Sequence, residues 1–161
     1  MTLSDLLPKP ALEFAFRMTL QFDEGPRVRF IPSHTSFTRG FVAVAGGTIE
    51  GPRLNGKVVS RSGGDWPRMW QSGLIEFEAH YMLEADDGSP IYIHNTGIAY
   101  AAPETIAAIE KGEQPQVAPY CRITPRFEAA PGPYEWMTRT MFVGTGERRG
   151  NHSVFDYYVV T

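Results

Sequence analysis

The sequence predicts an all-β protein folded as a single antiparallel β-barrel of about 8–10 strands, lipocalin-like in size. Short segments alternate apolar and polar residues with a period of two, which is typical of strands with one buried face. The 16 glycines and 13 prolines separate these segments, and the chain carries three Trp, seven Tyr and ten Phe. The less apolar strand faces mix aromatic, His, Arg and Glu residues and are poor in Lys, which favours a barrel. A sandwich is the alternative.

The segment LEFAFRMTLQF, residues 12–22, is the clearest strand, because every second residue from Leu12 to Phe22 is apolar. One short helix is expected near residues 104–111, in PETIAAIEKG, with Glu104 in its first turn and Gly112 at its end. Residues 1–10 are expected to form a tail, and residues 11–161 a single barrel domain. Further strands are predicted at residues 27–31, 39–45, 47–50, 54–60, 73–84, 90–99, 118–127, 134–143 and 152–160.

The segment GLIEFEAHYMLEADDGSPIYIHNTG predicts a β-hairpin, because Asp87-Gly88 lies between two alternating runs. A two-residue loop at Asp87-Gly88 would place His80 opposite Asn95 and Glu78 opposite Gly97. Directly opposed residues share a face of the sheet. In this register, His80 and His94 would lie on opposite faces.

The bulk composition excludes several function classes. The net charge of −3, without a basic stripe, gives no reason to expect a nucleic-acid partner. No apolar run approaches the length of a membrane-spanning helix, and MTLSDLLPKP is not a signal peptide. The single cysteine, Cys121, excludes an internal disulfide and suits a reducing compartment, so we expect a cytoplasmic location.

The order of several motifs resembles the DUF3237 family, also called the UPF0311 proteins. The motifs are GGTIEGPRLNG, Asp65-Trp66, FEAHYMLEADDGSPIYIHNTG, YCRITPRFEAAPGPYEW and MFVGTG. The resemblance begins at about Leu12 and covers nearly all of the remaining chain. It implies a small bacterial or fungal β-barrel domain, and it implies for some relatives a part in breaking down or tailoring aromatic compounds. This sequence departs from the family pattern at His80, where Arg is common, and at Cys121, where Phe is common.

The strand that carries Glu78 and His80 supplies the candidate catalytic residues. A carboxylate and an imidazole two residues apart on one strand face can donate and accept protons. In the expected register Asn95 joins them and can orient a carbonyl or a ring nitrogen. Arg122 is the candidate anchor for an acidic substrate, since a guanidinium binds a carboxylate at two points. The alternatives are a solvated polar face for the first pair and a structural ion pair for Arg122.

Further substrate-binding candidates are aromatic. Tyr134 and Trp136 are two residues apart on a predicted strand and can form a wall for a ring, although buried aromatic residues are more often core. Asp65-Trp66 follows Ser-Gly-Gly and is expected in a loop at a barrel mouth. The four histidines show no close metal-ligand spacing, so no metal site is expected, and no cofactor motif is present.

These observations predict a small-molecule-binding barrel that acts as a cofactor-independent lyase of the decarboxylase type, or as an isomerase. The expected substrate is a small aromatic or hydrophobic carboxylic acid. Phenolic acid decarboxylases also use a small barrel without a cofactor, which is an analogy at the level of fold. The alternative is a carrier or sensor that binds the same ligand without turnover. A homodimer is compatible with the aromatic-rich surface.

Overall fold

The computed structural model of the protein describes residues 7–25, 28–110, 113 and 119–161. Residues 7–10 form no regular structure, while the rest of the expected tail and the expected helix end at residues 111–112 lie outside the described residues. Within the described part, no helix is long and apolar enough to cross a membrane. The elements are β1 (Leu12–Phe22), β2 (Val28–Phe30), β3 (Phe37–Glu50), β4 (Gly56–Val58), β5 (Gly64–Asp65), β6 (Arg68–Trp70), β7 (Leu74–Ala85), β8 (Pro90–Tyr100), α1 (Pro103–Glu110), β9 (Tyr120–Ala129), a 3₁₀ helix (Glu135–Arg139), β10 (Phe142–Arg149) and β11 (His152–Val160).

Eight of these strands close an antiparallel barrel, in the order β1-β11-β10-β9-β8-β7-β4-β3, and β3 pairs back with β1. The short strands β5 and β6 also lie between β3 and β7, and β2 pairs with the first part of β3. The predicted barrel with one short α-helix is therefore confirmed. A closed barrel has no free edge of its own that could pair with another chain.

Strands β1 and β11 have the predicted bounds, residues 12–22 and 152–160. Their inward residues Phe16 and Tyr157 are opposed in the register, and the two rings stack with centroids 4.6 Å apart. The segments predicted as 39–45 and 47–50 form one strand, β3. This strand pairs with β1 and lies very close to its backbone at Gly47. A side chain at Gly47 would lie 2.2 Å from the Thr19 carbonyl oxygen. Only glycine fits this close contact between the two strands without a backbone shift.

The β7–β8 hairpin forms where it is predicted, but its register differs by one residue from the expected one. The Ala85 N–H donates to the Ser89 carbonyl at 3.0 Å, so the loop contains three residues, 86–88. Gly88 adopts φ +86°, which suits the left-handed position of a three-residue hairpin loop. His80 therefore lies opposite His94, and Asn95 lies opposite Ala79. The expected pairs of His80 with Asn95 and of Glu78 with Gly97 are wrong.

The strand predicted at residues 134–143 is also wrong in its first half. Residues Glu135–Arg139 form a 3₁₀ helix, and the strand that follows is Phe142–Arg149. The Thr138 hydroxyl donates to the Glu135 carbonyl at 2.8 Å, and the Thr140 hydroxyl donates to the Trp136 carbonyl at 2.6 Å. These local bonds give the backbone an alternative to strand pairing. Met137 from this turn is buried in the core.

The barrel interior is sealed at one end and opens at the other. Near the β7–β8 loop the inward residues Leu83, Ile91 and Phe127 are buried, and the 3₁₀ helix packs there against β9. Toward the far ends of the same strands, the inward residues Phe77 and Ala99 are only half-buried. We call this far end the open end of the barrel.

Candidate functional site

The register divides the expected site residues between the two faces of the barrel wall. Asp65 lies opposite Ala79, and Ala79 lies opposite Asn95, so Asp65 and Asn95 share the inward face. Glu78 and His80 alternate with Ala79 along β7 and therefore face outward. The expectation that Glu78, His80 and Arg122 share one site inside the barrel is wrong, because all three alternate with buried residues along β7 and β9 and therefore face outward.

Asn95 belongs to a group of polar side chains inside the barrel. The group comprises Asp65, Tyr81, Asn95 and Tyr157, and we call it the inner polar group. Asn95 is only 4% exposed, and its Oδ1 atom is buried without a hydrogen-bond partner among the described residues. A buried acceptor without a partner destabilises a fold by about 1–3 kcal/mol. Such an atom needs a hydrogen-bond donor, which an ordered water or a bound molecule can supply.

Two tyrosine hydroxyls lie beneath Asn95, in the centre of the barrel. The Tyr81 and Tyr157 hydroxyls lie 3.5 Å and 3.9 Å from the Met18 sulfur, respectively. Burial raises the pKa of Tyr81 far above its usual value, although the neighbouring Tyr157 and Asn95 side chains partly oppose the rise. Burial also raises the pKa of Tyr157. Both phenols consequently stay neutral and keep an O–H that can be donated to an oxygen atom.

Asp65 places a carboxyl group at the open end of this interior. Its pKa is raised from 3.8 to about 6, mainly because burial removes water from the carboxylate. The backbone N–H groups of Glu78 and Trp66 oppose the rise, and the Glu78 N–H donates to Asp65 Oδ1 at 3.3 Å. A carboxyl group with this pKa exchanges a proton readily near neutral pH.

Cys121 also faces inward, next to the inner polar group. Burial raises the pKa of the thiol. A Cβ atom on the neighbouring Gly146 would lie 2.9 Å from the Cys121 sulfur. The thiol is thus held protonated in a tight contact, which fits a small packing residue better than a nucleophile.

The outward face of β7 and β8 carries a second group of polar side chains. The His80 and His94 rings stack with centroids 4.1 Å apart, so the expectation that they lie on opposite faces is wrong. His80 Nε2 lies 3.9 Å from Glu78 Oε1, and His80 Nδ1 lies 2.5 Å from the Tyr92 hydroxyl. Trp66, 36% exposed, packs its ring 5.9 Å from the His80 ring. Glu78, His80, His94 and Tyr92 form what we call the outer histidine cluster.

Arg122 also lies on the outer face. Its guanidinium stacks 4.6 Å from the Tyr120 ring centre and donates to the Cys121 carbonyl at 2.8 Å. Arg122 alternates along β9 with the inward residues Cys121 and Ile123. It therefore cannot anchor a carboxylate inside the barrel.

Tyr134 and Trp136 do not form a wall of the open end. They lie in and beside the 3₁₀ helix at the sealed end, where the Trp136 ring packs 5.6 Å from the Phe142 ring. The Arg53 guanidinium lies 4.3 Å above the Trp136 ring on the side away from the core. The contacts of Trp136 are those of a residue that closes the barrel.

The fold and the site define a class of small, closed antiparallel barrels with polar side chains in the interior. The chain belongs to the DUF3237 family, described as "Protein of unknown function (DUF3237)", which matches residues 10–160. The resemblance inferred from the motifs is thereby confirmed. A UPF0311 protein of Rhodopseudomonas palustris is 34% identical over 124 residues, which cover 76% of this chain and 80% of that protein. A UPF0311 protein of Bradyrhizobium diazoefficiens is 32% identical over 124 residues, which also cover 76% of this chain and 80% of that protein.

Solved structures share the fold over almost the whole chain. A β-barrel like protein from Acinetobacter baumannii has a TM-score of 0.85 and 27% identity, over 98% of this chain and 99% of that one. A protein with unknown function from Clostridium acetobutylicum has a TM-score of 0.84 and 28% identity, over 97% of this chain and 100% of that one. An enzyme from Penicillium herquei has a TM-score of 0.72 and 21% identity, over 99% of this chain and 100% of that one. This likeness shows the fold alone.

The sequence analysis identified two members of the inner polar group, Asp65 and Asn95, and missed Tyr81 and Tyr157. Both tyrosines occupy the apolar positions of alternating strands, so their rings are indistinguishable from core residues in the pattern. The available signal was their place beside Asn95 and Cys121 in neighbouring strands, which requires the register to be known.

Proposed function

We propose that the protein binds a small, mainly aromatic or apolar molecule in the open end of its barrel and moves a proton on it without a cofactor. The observation that carries this proposal is the buried Asn95 Oδ1 atom without a partner. A ligand hydroxyl or N–H group that donates to this atom would remove its energetic penalty. The proposed partner is thus a small molecule, and the single Cys121 fits the proposed cytoplasmic location.

Asp65 is the proposed proton-transfer group. A general base works best when its pKa lies near the working pH, and the pKa of Asp65 is about 6. In an isomerisation, the Asp65 carboxylate would take a proton from the carbon next to a ligand carbonyl and return it to another carbon. The negative charge that develops on the ligand oxygen would accept hydrogen bonds from the Tyr81 or Tyr157 hydroxyl. A carboxylate base combined with hydroxyl donors is suited to this enolisation.

Isomerisation is better supported than decarboxylation. The expected carboxylate anchor, Arg122, lies on the outer face, and the inner polar group contains no cation. If the ligand is a carboxylic acid, we propose Arg148 as its contact, because its guanidinium lies 4.9 Å above the ring of Phe22 at the barrel rim. In the decarboxylase form of the reaction, the ligand carboxylate would leave as carbon dioxide and Asp65 would protonate the remaining carbon.

The test begins with ligand discovery by thermal shift on phenols, aromatic ketones and aromatic acids, with a chelator present. Ligands that raise the Tm are then incubated in deuterium oxide, and NMR follows exchange of the protons next to the carbonyl. Asp65→Asn should slow this exchange by about 10²–10⁴-fold while the ligand still binds. Glu84→Gln is the matched control, since it removes a carboxylate from an outward ion pair with Lys57.

Asn95→Leu separates ligand binding from folding. Leucine removes the unpaired Oδ1 acceptor at similar side-chain size and should weaken ligand binding by at least tenfold, while urea unfolding checks that the variant is folded. Unchanged affinity in Asn95→Leu would place the ligand elsewhere. Tight binding without exchange in the wild-type protein would instead identify the carrier or sensor alternative.

A further inference from the structure

The outer histidine cluster places three metal-ligand side chains together on one side of the barrel wall. One ligand atom from each of Glu78, His80 and His94 lies within 4.8 Å of the others. His80 and His94 are directly paired across β7 and β8, and Glu78 lies two residues from His80 on the same face of β7, so the backbone holds the three side by side. The cluster is on the opposite face from the inner polar group and takes no part in the proposed proton transfer.

His94 provides a second, independent observation. Its Nε2 atom is buried and has no hydrogen-bond partner among the described residues. Buried imidazole nitrogens are ordinarily paired, because an unpaired one loses its interactions with water and gains none. The lone pair of an imidazole nitrogen can bind a metal ion in place of a hydrogen-bond donor.

Tyr92 orients His80 in the way that a metal ligand requires. The Tyr92 hydroxyl lies 2.5 Å from His80 Nδ1. When the ring proton sits on Nδ1 and is donated to this hydroxyl, the lone pair of Nε2 faces the Glu78 carboxylate, 3.9 Å away. Histidines that bind metals almost always donate their other N–H to such a partner.

We propose that Glu78, His80 and His94 bind a divalent transition-metal ion, with Zn²⁺ as the best fit. Two imidazoles and one carboxylate suit Zn²⁺ and exclude Mg²⁺ and Ca²⁺, which take mainly oxygen ligands. The side chains must draw together, and the stacked rings must tilt, to reach metal–ligand distances of about 2.0–2.2 Å. Three protein ligands leave a fourth tetrahedral position for water or for an outside ligand.

The direct test is equilibrium dialysis of the chelator-treated full chain against Zn²⁺ alone. The wild-type protein should bind one ion per chain, and His80→Gln and His94→Gln should each weaken binding by at least tenfold. Tyr92→Phe should weaken it by about 10–100-fold although the phenol is not a ligand. His152→Gln is the matched control, because His152 contacts only its neighbour Asn151 among the described hydrogen bonds and lies outside the cluster.

A spectroscopic measurement keeps the proposal open to refutation even if a variant folds poorly. Cu²⁺ binds the same ligand types more tightly and quenches nearby indole fluorescence. In the wild-type protein Cu²⁺ should quench Trp66, whose ring lies 5.9 Å from the His80 ring, and Trp66→Phe should lose that quenching. Absence of Zn²⁺ binding in the wild type, or equal binding in His80→Gln, His94→Gln and His152→Gln, overturns the proposal.

Discussion

The two faces of the β7–β8 hairpin carry different chemistry on the same backbone. The inward face presents Tyr81 and Asn95 in a dry interior, and the outward face presents His80 and His94 beside Glu78. The residue types most often associated with acid–base catalysis therefore lie outside the barrel. The comparison shows that the register of two strands, more than the composition of either strand, decides which polar groups can share a site.

The largest expected difference between the two faces is in stability. Leu83→Ala on the inward face should lower the free energy of unfolding by about 2–5 kcal/mol, because the fully buried side chain leaves a cavity. Met82→Ala, on the outward face of the same strand, should lower it by less than about 1 kcal/mol. Urea unfolding of both variants measures the difference. Similar losses would show that the outward face is also packed against something.

Gly97 offers a sharper test of the inward face. A Cβ atom at this position would lie 2.4 Å from the Arg122 carbonyl oxygen and 2.8 Å from the Ile123 Cα atom. Because both contacts are backbone atoms of the neighbouring strand, Gly97→Ala should lower the free energy of unfolding by about 1–3 kcal/mol. Its outward neighbour provides the comparison. Thr96→Ala loses only exposed hydroxyl contacts with Thr124. In the same denaturation series, it should lower the free energy of unfolding by less than Gly97→Ala does.

The raised pKa of Asp65 should make the free energy of unfolding depend on pH in a way that outward carboxylates do not. Its pKa is 3.8 in the unfolded chain and about 6 in the folded barrel, so the folded state binds more protons between these values. The resulting destabilisation is absent below about pH 4, grows with rising pH and is complete above the folded pKa. Asp65→Asn should therefore stabilise the protein by about 3 kcal/mol at neutral pH and hardly at all at pH 4.

Unfolding at a series of pH values, with a chelator present, tests this difference. The control Glu84→Gln breaks the exposed ion pair with Lys57 and should change stability by less than about 1 kcal/mol in the opposite direction. An Asp65→Asn effect that does not grow between pH 4 and pH 7 would show that the carboxylate is well solvated.

The smallest effect is expected at Arg122. Arg122→Ala removes the contact of its guanidinium with the Tyr120 ring, which is exposed to water, so stability should fall by less than about 1 kcal/mol. Thermal unfolding measures the change. A loss of several kcal/mol would mean that Arg122 forms a buried ion pair, which is the structural alternative to a substrate anchor.

The sequence predicted the barrel and many of its strands because each of them buries one face. β1 and β11 were predicted to the residue, but a β-bulge between Phe14 and Phe16 exposes Leu12 and Phe14, which the alternation of β1 placed on its apolar face. The hairpin was predicted but its register was not, because Asp87-Gly88 is compatible with loops of two or three residues. The segment after Tyr134 alternates like a strand, and only its local hydrogen bonds make it a 3₁₀ helix. Periodicity carries no information on such bonds.

The candidate site was only half predictable for the same reason. Asp65 and Asn95 were identified by residue type and nearby turns, and both lie on the inward face. Glu78, His80 and Arg122 were assigned to the interior because the less apolar strand faces are rich in aromatic residues and poor in Lys, yet these residues alternate with buried ones and face outward. The face of a strand is set by long-range pairing, which local sequence does not encode.

The pairing of β1 with β11 has a consequence for synthesis and folding. The Arg17 Nε–H on β1 donates a hydrogen bond to Asp156 Oδ1 on β11 at 2.7 Å, and 139 residues of chain separate the two positions. The wall of the barrel thus stays open on the ribosome until residues up to 160 have emerged. The long-range closure predicts slow folding, because the entropy of a long loop must be lost before the closing contacts form. Until then, β1 and β10 each present an unpaired edge, and this nascent chain would be the stage most exposed to aggregation.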